Sequence, residues 1–288
     1  MVATNPGPDT APWTDWAAGS FSDDDWNQLL AAWGPDTEVL ERLGGGLWGN
    51  VRQVRVGQRL AVGRLSSRSR ASLDWEIYLL GELAGAGFRV PAVMPTASGA
   101  RRNDRMVVTE WIPARPVSQG DTRGDTRARN GRSDSRIDDA RRARYLHQLR
   151  ELTADWSQRP GSRTARELLI MDIGGDVNMA ALPEDVAAAC RFAWEALPDG
   201  PLCAVHGDID PENCLVAYDG DVVLIDWDKA RLDHPWFDLA PLSLAASGLT
   251  EKQYRIARRA SCAWEVAVHW PTNQPYARQR FRELQRLT

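Results

Sequence analysis

The sequence predicts an α+β protein of two lobes, with an antiparallel sheet and a helix in the first lobe and a mostly helical second lobe. The pattern of residues 37–65 predicts a strand, a glycine-rich loop and two paired strands. After position 137, most apolar residues recur with the period of a helix. The segment Pro113–Pro116 breaks the composition between these patterns. We therefore expect an arm and helix at 1–36, an N-terminal lobe at 37–112 and a C-terminal lobe at 113–288.

The composition indicates a globular chain with no affinity for nucleic acid or membrane. Its 288 residues are 43% apolar, which is enough for a sizeable core, and the net charge of −4 gives no reason to expect nucleic-acid binding. No apolar run could cross a bilayer, and the N-terminus lacks the features of an export signal, so we expect a cytoplasmic protein. The four cysteines form no C-x-x-C pair and are predicted to be reduced and buried. Monomer and homodimer both remain open.

The N-terminal elements follow from caps and periodicity. Ser22 is a predicted N-cap for a helix whose apolar face ends at Trp33. Strands are predicted at 39–43, 51–56, 60–65, 90–95 and 106–113, with a helix after the third that carries Leu73 and Ile77 on its apolar face.

Glycines between the first two strands form a candidate phosphate loop. Gly45, Gly46 and Asn50 lie in the run Gly44–Asn50, where backbone N–H groups can approach phosphate oxygens closely. A hairpin that needs positive φ angles explains the glycines equally well, so the run alone does not distinguish a phosphate-binding loop from a simple turn.

Arg64 and Glu76 form a predicted ion pair. Val62 and Arg64 share one strand face, and Glu76 lies next to Ile77 in the apolar face of the following helix. A carboxylate in such a face needs a cation, and Arg64 is the nearby candidate. The pair is either purely structural or holds a basic residue on nucleotide phosphates, as in kinases.

Glu110 and Ile112 precede the proline-rich break. Their backbone groups could meet an adenine edge, although an ordinary edge strand would look the same.

The second lobe begins with a polar insertion. Residues 118–136 repeat Gly-Asp-Thr-Arg and contain almost nothing apolar, so we expect a mobile loop. Helices are predicted at 137–156, from Pro183, at 235–246, from a capping box of Thr250 and Gln253 to about Trp270, and from Pro275 to Leu287, whereas 162–182 is ambiguous.

Polar residues interrupt the apolar runs of 202–226. Asp208, Asn213 and Asp226 follow or precede predicted strands, and Asp219-Gly220 predicts a tight hairpin that brings Asn213 and Asp226 together. Hard oxygen ligands at one strand end suit Mg²⁺ and a phosphate chain.

The motifs of this stretch resemble those of the aminoglycoside phosphotransferase-like kinases, relatives of protein kinases. His206–Asn213 matches H-G-D-x-x-x-x-N, Ile225–Asp228 resembles I-D-W-[DE], and His234–Ala240 resembles D-P-x-x-D-L-A. The similarity spans roughly 37–246 and implies a protein-kinase-like fold.

The resemblance implies a role for each matching residue. Asp208 would accept or orient the proton of the acceptor hydroxyl, while Asn213 and Asp226 would bind Mg²⁺. His206 and Asp238 would support the loop. The resemblance also implies that nucleotide is bound by Gly45, Gly46, Asn50, Val62, Arg64, Glu76, Glu110 and Ile112. Family members often have Lys at the position of Arg64, but the only lysines of this chain are Lys229 and Lys252.

We therefore predict a phosphotransferase that moves the γ-phosphoryl of ATP or GTP to a small-molecule hydroxyl. Only eleven residues separate Asp226 from Asp238, which leaves little room for a peptide platform. Nine Asp and one Glu between 199 and 238 favour a cationic acceptor such as an aminoglycoside or another antibiotic, although metal binding and turns account for several of these acids. Amino alcohol, homoserine-like and sugar acceptors remain open, as does a non-catalytic nucleotide-binding module. A serine hydrolase is set aside because no G-x-S-x-G occurs.

Overall fold

The computed structural model describes residues 21–43, 50–116, 131–210, 212–217 and 221–287. The chain divides into two compact units. The first holds the described residues up to Glu82 with Pro91–Ile112, and the second holds Leu83–Val90 with those from Pro113 onward. The predicted α+β class is confirmed, because the first unit is built on an antiparallel sheet and the second is mostly helical.

The sheet of the first unit has four antiparallel strands in sequence order. They are β1 (Thr37–Arg42), β2 (Val51–Val56), β3 (Arg59–Leu65) and β4 (Met106–Glu110). Arg64 lies opposite Val51 on one side and Val107 on the other, so it stands within the sheet rather than at its edge.

A capped helix covers one face of this sheet. Ser22 accepts the N–H of Asp25 and begins α1 (Asp23–Leu30), which confirms the predicted cap. Trp26, Leu30 and Trp33 are buried in one cluster with Val54 and Met106, so this helix contributes to the core of the unit.

The predicted strand at 90–95 is wrong. Within that segment only Val93 forms a bridge, to Thr109. Pro91 and Pro95 lack the N–H that a ladder needs, so the segment follows β4 without becoming a strand. After β3 the chain forms α2 (Arg70–Gly85), whose Leu73 and Ile77 are buried in one cluster with Val107, which confirms the predicted apolar face.

The second unit has six helices among its described residues. They are α3 (Gly131–Leu152), α4 (Glu184–Glu195), α5 (Trp236–Leu239), α6 (Leu244–Ser247), α7 (Glu251–His269) and α8 (Gln274–Arg286). The capping box of Thr250 and Gln253 is confirmed. The predicted helix at 235–246 is instead two short helices, because Pro241 cannot continue the first of them.

Helix α3 differs from its prediction at both ends. It begins at Gly131, so residues 131–136 are helical rather than part of a mobile loop, and the rest of the predicted loop, 118–130, lies outside the described residues. The sequence has no apolar side chain between Gly131 and Ile137, which is why the apolar pattern marks the start too late. At the other end, Thr153 donates its hydroxyl hydrogen to the carbonyl of Leu149 as the chain leaves the helix.

Short strands frame the segment that holds the predicted catalytic motifs. β9 (Cys214–Ala217) pairs antiparallel with β10 (Val222–Leu224) and with β5 (Ala114–Pro116). β8 (Cys203–Val205) pairs with β11 (Arg231–Asp233), and β6 (Ile173–Gly174) forms a hairpin with β7 (Val177–Asn178) in the ambiguous segment. The predicted hairpin of the central stretch is confirmed, although its turn at Asp219-Gly220 lies outside the described residues.

Candidate active site

The segment after β8 turns sharply at a glycine. Gly207 has φ +79°, and a Cβ atom placed there would lie 2.8 Å from Nη1 of Arg231 and 2.9 Å from the carbonyl oxygen of Lys229. Both the backbone angle and the lack of space therefore require glycine. The turn delivers Asp208 beyond the end of the strand.

Asp238 holds this turn from α5. One carboxylate oxygen accepts the backbone N–H of His206 at 2.6 Å, and the other accepts the N–H of Gly207 at 2.9 Å. Burial raises the pKa of Asp238, against the opposing effects of His206 and of these N–H groups. The sequence predicts that Asp238 supports this loop, and both of its contacts here are with the loop backbone.

His206 connects the turn to the segment before Asp226. Its Nε2 lies 2.9 Å from the carbonyl oxygen of Ile225, so the ring must donate from Nε2. The side chain is fully buried, and burial lowers its pKa, which favours the neutral ring. Trp227 packs against the imidazole with ring centroids 4.6 Å apart.

Asp208 is paired with Lys229, a residue that the sequence analysis does not assign to the site. Nζ of Lys229 lies 2.8 Å from Oδ2 of Asp208, and the two side chains are 21% and 22% exposed. Burial by itself would lower the pKa of Lys229, but the charges of Asp208 and Asp226 and the hydrogen bond to Asp208 raise it above its usual value. The one sequence signal was the scarcity of lysine, since Lys229 is one of two in the chain.

Asn213 and Asp226 stand at neighbouring positions of the β9–β10 hairpin. The N–H of Ile225 donates to the carbonyl of Asn213 at 3.0 Å, and Asp226 follows with φ +62° and ψ +61°. A left-handed aspartate is uncommon, and such outliers concentrate at functional sites. Nδ2 of Asn213 donates to the carbonyl of Asp208 at 3.1 Å, so the structure brings Asn213 to Asp208 as well.

This donor set fits a magnesium ion of the kind that phosphates help to hold. Because Nδ2 of Asn213 is engaged, its amide oxygen remains as an acceptor, and Asp226, the residue after the backbone partner of Asn213, supplies a carboxylate. Mg²⁺ commonly takes one or two protein oxygens and completes its shell with phosphate and water. Among the described residues no group of three His, Cys, Asp or Glu could hold a metal alone.

The buried guanidinium of Arg159 holds the segment that carries Lys229. Its Nη1 lies 2.7 Å from the carbonyl of Asp228, 2.9 Å from that of Ala230 and 3.5 Å from that of Trp227. Sequence reasoning missed this residue, since nothing in the helix-to-loop segment around 159 marks an arginine that is only 1% exposed.

Three further ionisable residues, His269, Asp176 and Asp210, interact electrostatically with Asp208 or Lys229. Burial, with the charge of Lys229, lowers the pKa of His269 at the end of α7 to about 4, and both Asp208 and Asp176 oppose that shift. Asp176 lies in the turn of the β6–β7 hairpin. Burial and the charge of Asp208 raise the pKa of Asp210. The surroundings thus contain a neutral imidazole and two further acids.

The first unit contains those predicted nucleotide residues that the structure describes. Arg64 on β3 forms an ion pair with Glu76, which is 2% exposed. Val62 pairs with Thr109, and the carbonyl of Asn50 accepts the N–H of Leu65 at 2.9 Å.

The remaining predicted contacts of this unit are partly described. Glu110 forms an exposed ion pair with Arg59 at 3.3 Å, and Ile112 is half-buried. Gly45 and Gly46 lie outside the described residues.

Comparisons with known proteins agree with this geometry. The model of the phosphotransferase enzyme family matches residues 39–276. A comparison with curated proteins finds no match. In addition, no helix in the described parts of the chain combines the length and apolarity needed to cross a bilayer.

Solved structures of three small-molecule kinases share the fold. The choline kinase LicA from Streptococcus pneumoniae aligns with a TM-score of 0.59 at 17% identity, over 87% of this chain and 93% of that one. A microcompartment-associated aminopropanol kinase aligns with a TM-score of 0.59 at 15% identity, over 92% of this chain and 94% of that one. A type I macrolide 2'-phosphotransferase aligns with a TM-score of 0.56 at 18% identity, over 92% of this chain and 98% of that one. The family match covers most of the chain, and we conclude that this protein belongs to the phosphotransferase enzyme family and is a small-molecule phosphotransferase.

Proposed function

We propose that the protein transfers the γ-phosphoryl group of ATP or GTP to a hydroxyl of a small molecule, with Asp208 as the residue that receives or orients the hydroxyl proton. The observation that carries the proposal is the joint fixing of Asp208, Asn213 and Asp226. Asp238 and His206 anchor the loop, and Asn213 binds the Asp208 carbonyl directly. Phosphoryl transfer depends mainly on such positioning and on charge neutralisation.

Asn213 and Asp226 are proposed to hold Mg²⁺. The bound ion would neutralise phosphate oxygens. The protein would fix the position of the amide oxygen of Asn213 and of a carboxylate oxygen of Asp226. The register of the hairpin and the left-handed backbone of Asp226 support this role. The acceptor proton is then taken up at the Asp208 carboxylate.

In the first unit, Arg64 is proposed to bind nucleotide phosphates while Glu76 orients it. An arginine presents two parallel N–H donors to phosphate and keeps its charge, so it can serve where relatives use lysine. Gly45, Gly46, Asn50 and Val62 are proposed to contact the nucleotide, with the backbone of Glu110 and Ile112 facing its base.

The proposed acceptor is a cationic compound, with an aminoglycoside-like or other antibiotic as the first choice. Asp176 and Asp210 add negative charge around the Asp208–Lys229 pair, which supports a positively charged ligand. An amino alcohol, a homoserine-like compound or a sugar is the alternative. Family membership favours the enzyme over a non-catalytic module. The four cysteines are all unpaired and buried, which supports the proposed cytoplasmic location.

The test is a transfer assay with ATP and GTP against aminoglycosides, macrolides, choline-like and homoserine-like alcohols and sugars. Mass spectrometry should detect a phosphomonoester of at least one acceptor, formed only with Mg²⁺ present. Phosphate release that no acceptor accelerates, with no phosphorylated product, would contradict the proposal. A preference for cationic acceptors that weakens in Asp176→Asn would support the proposed acceptor class.

A further inference from the structure

We propose that Lys229 is a catalytic residue whose ammonium contacts the phosphoryl group during transfer; this inference rests on the proposed function. Its Nζ is fixed on Asp208 at 2.8 Å. An ammonium has three N–H donors, and the described residues supply an acceptor for one of them. The others are available to phosphoryl oxygens next to the carboxylate that receives the proton.

The backbone around Lys229 is held on both sides. Arg159 binds the carbonyls of Asp228 and Ala230, the neighbours of Lys229 in sequence. The carbonyl of Lys229 itself lies so close to Gly207 that a Cβ there would be 2.9 Å away. A charge positioned before the reaction stabilises developing charge without a cost of reorganisation. Arg159 is therefore a positioning residue for Lys229.

The charge of Lys229 is maintained by its surroundings. Although burial opposes it, Asp208 and Asp226 raise the pKa of the ammonium, so the group remains a cation at neutral pH. The only other lysine of the chain, Lys252, is exposed on α7 and serves as an internal control.

The proposed step explains why the cation of Lys229 should be paired with Asp208, the carboxylate that receives the proton. The acceptor oxygen forms a bond to the γ-phosphorus and its proton passes to Asp208. The bond between that phosphorus and the bridging oxygen breaks, and its electron pair leaves with the nucleoside diphosphate. As Asp208 takes up the proton its attraction for Lys229 weakens, so the charge of the ammonium, which is already in place, acts on the phosphoryl oxygens through its two remaining N–H groups. Lys229 itself neither gains nor loses a proton, and it stabilises the transition state more than the ground state.

Replacement and chemical restoration of the amine test this role. The Lys229→Cys variant should lose kcat by on the order of 100-fold while its nucleotide KM changes little. Treatment with 2-bromoethylamine converts the introduced thiol into a thioether analogue of lysine and should restore much of kcat. The thioether lowers the pKa of the amine. In a plot of kcat against pH, the fall in rate at alkaline pH should therefore begin at lower pH in the restored enzyme than in the wild type. A purely structural side chain would not move that fall in rate.

The natural cysteines permit this experiment. All four are buried, and burial raises their pKa to about 11 for Cys214 and about 12 for Cys190, Cys203 and Cys262. Treated wild-type protein should therefore keep its activity, since few thiolates are present to react. The Lys252→Cys variant should match the wild type before and after treatment.

The outcomes separate this inference from the proposed function. Near wild-type kcat in Lys229→Cys, or no recovery after complete aminoethylation, would overturn the inference about Lys229. Full turnover in Asp208→Asn would instead overturn the proposed function. Thermal unfolding checks that each variant is folded, and if Lys229→Cys does not fold, Lys229→Arg, which keeps the charge, should retain more kcat than Lys229→Met.

Discussion

The carboxylate of Asp238 accepts the backbone N–H groups of both His206 and Gly207, the two residues that precede Asp208. This one contact fixes the direction in which the chain leaves β8. An Asn at position 238 could accept only one of the two bonds, and its NH₂ group would face an N–H donor. We expect Asp238→Asn to lower the free energy of unfolding by about 1–3 kcal/mol and to lower kcat.

Urea denaturation and steady-state kinetics measure both effects. Asp199→Asn is the matched control, because the side chain of Asp199 is 92% exposed and pairs only at the surface with Arg166. Equal effects of the two substitutions would contradict the anchoring role of Asp238.

The space at Gly207 predicts a large effect of a single methyl group. Gly207→Ala combines a left-handed backbone, which costs about 1–2 kcal/mol for a non-glycine residue, with close contacts to Arg231 and Lys229. Gly87→Ala is the control, because Gly87 has φ +87° but no atom within 4 Å of the added carbon. Thermal unfolding should show a larger loss for position 207, and only that variant should lose activity. Similar losses at both positions would mean that backbone angle alone matters.

The buried histidines predict a loss of stability in acid. Burial is the main cause that lowers the pKa of His234 from 6.5 to about 4, so the unfolded chain binds a proton that the folded one excludes between those values. Stability from this group is complete above pH 6.5 and declines as the pH falls towards 4.

The comparison of wild type with His234→Asn isolates this effect. Their difference in free energy of unfolding, measured in urea across this range, should be constant above pH 7 and shrink below 6.5. A difference that stays constant down to pH 4 would contradict the pKa shift of His234.

The role of Arg64 predicts different outcomes for two substitutions. Arg64→Met removes the charge-assisted bonds to phosphate that we propose for this residue and should raise the nucleotide KM roughly 10- to 100-fold, whereas Arg64→Lys should raise it less. Arg59→Met on the same strand is the control, because Arg59 is 67% exposed. If Arg64→Met leaves both KM and kcat unchanged, the Arg64–Glu76 pair is only structural.

Much of the fold was predictable because its signals are local. The cap at Ser22, the capping box at Thr250 and the apolar period of α4 and α7 depend on neighbouring residues, and the structure contains each of them. The errors arose where a local pattern was too permissive, as with the prolines of 90–95, the interruption at Pro241 and the polar first turns of α3.

The contacts that complete the candidate site could not be predicted in the same way. Motif spacing identifies Asp208, Asn213 and Asp226. The pairing of Lys229 with Asp208, by contrast, spans twenty-one positions and depends on the pairing of strand β11, which follows Lys229, with strand β8, which precedes Asp208. The three carbonyl contacts of Arg159 span 68, 69 and 71 positions. Nothing near position 159 indicates such partners, since tertiary packing alone creates them.

The role of Asp208 is tested most directly by phosphate transfer in the Asp208→Asn variant, with any acceptor that the wild type phosphorylates. We expect this variant to bind nucleotide with wild-type affinity by calorimetry and to show a cooperative unfolding transition, yet to form no phosphorylated acceptor above a small residual rate. An Asp208→Asn variant that phosphorylates the acceptor at the wild-type rate would rule out the proposed role of Asp208.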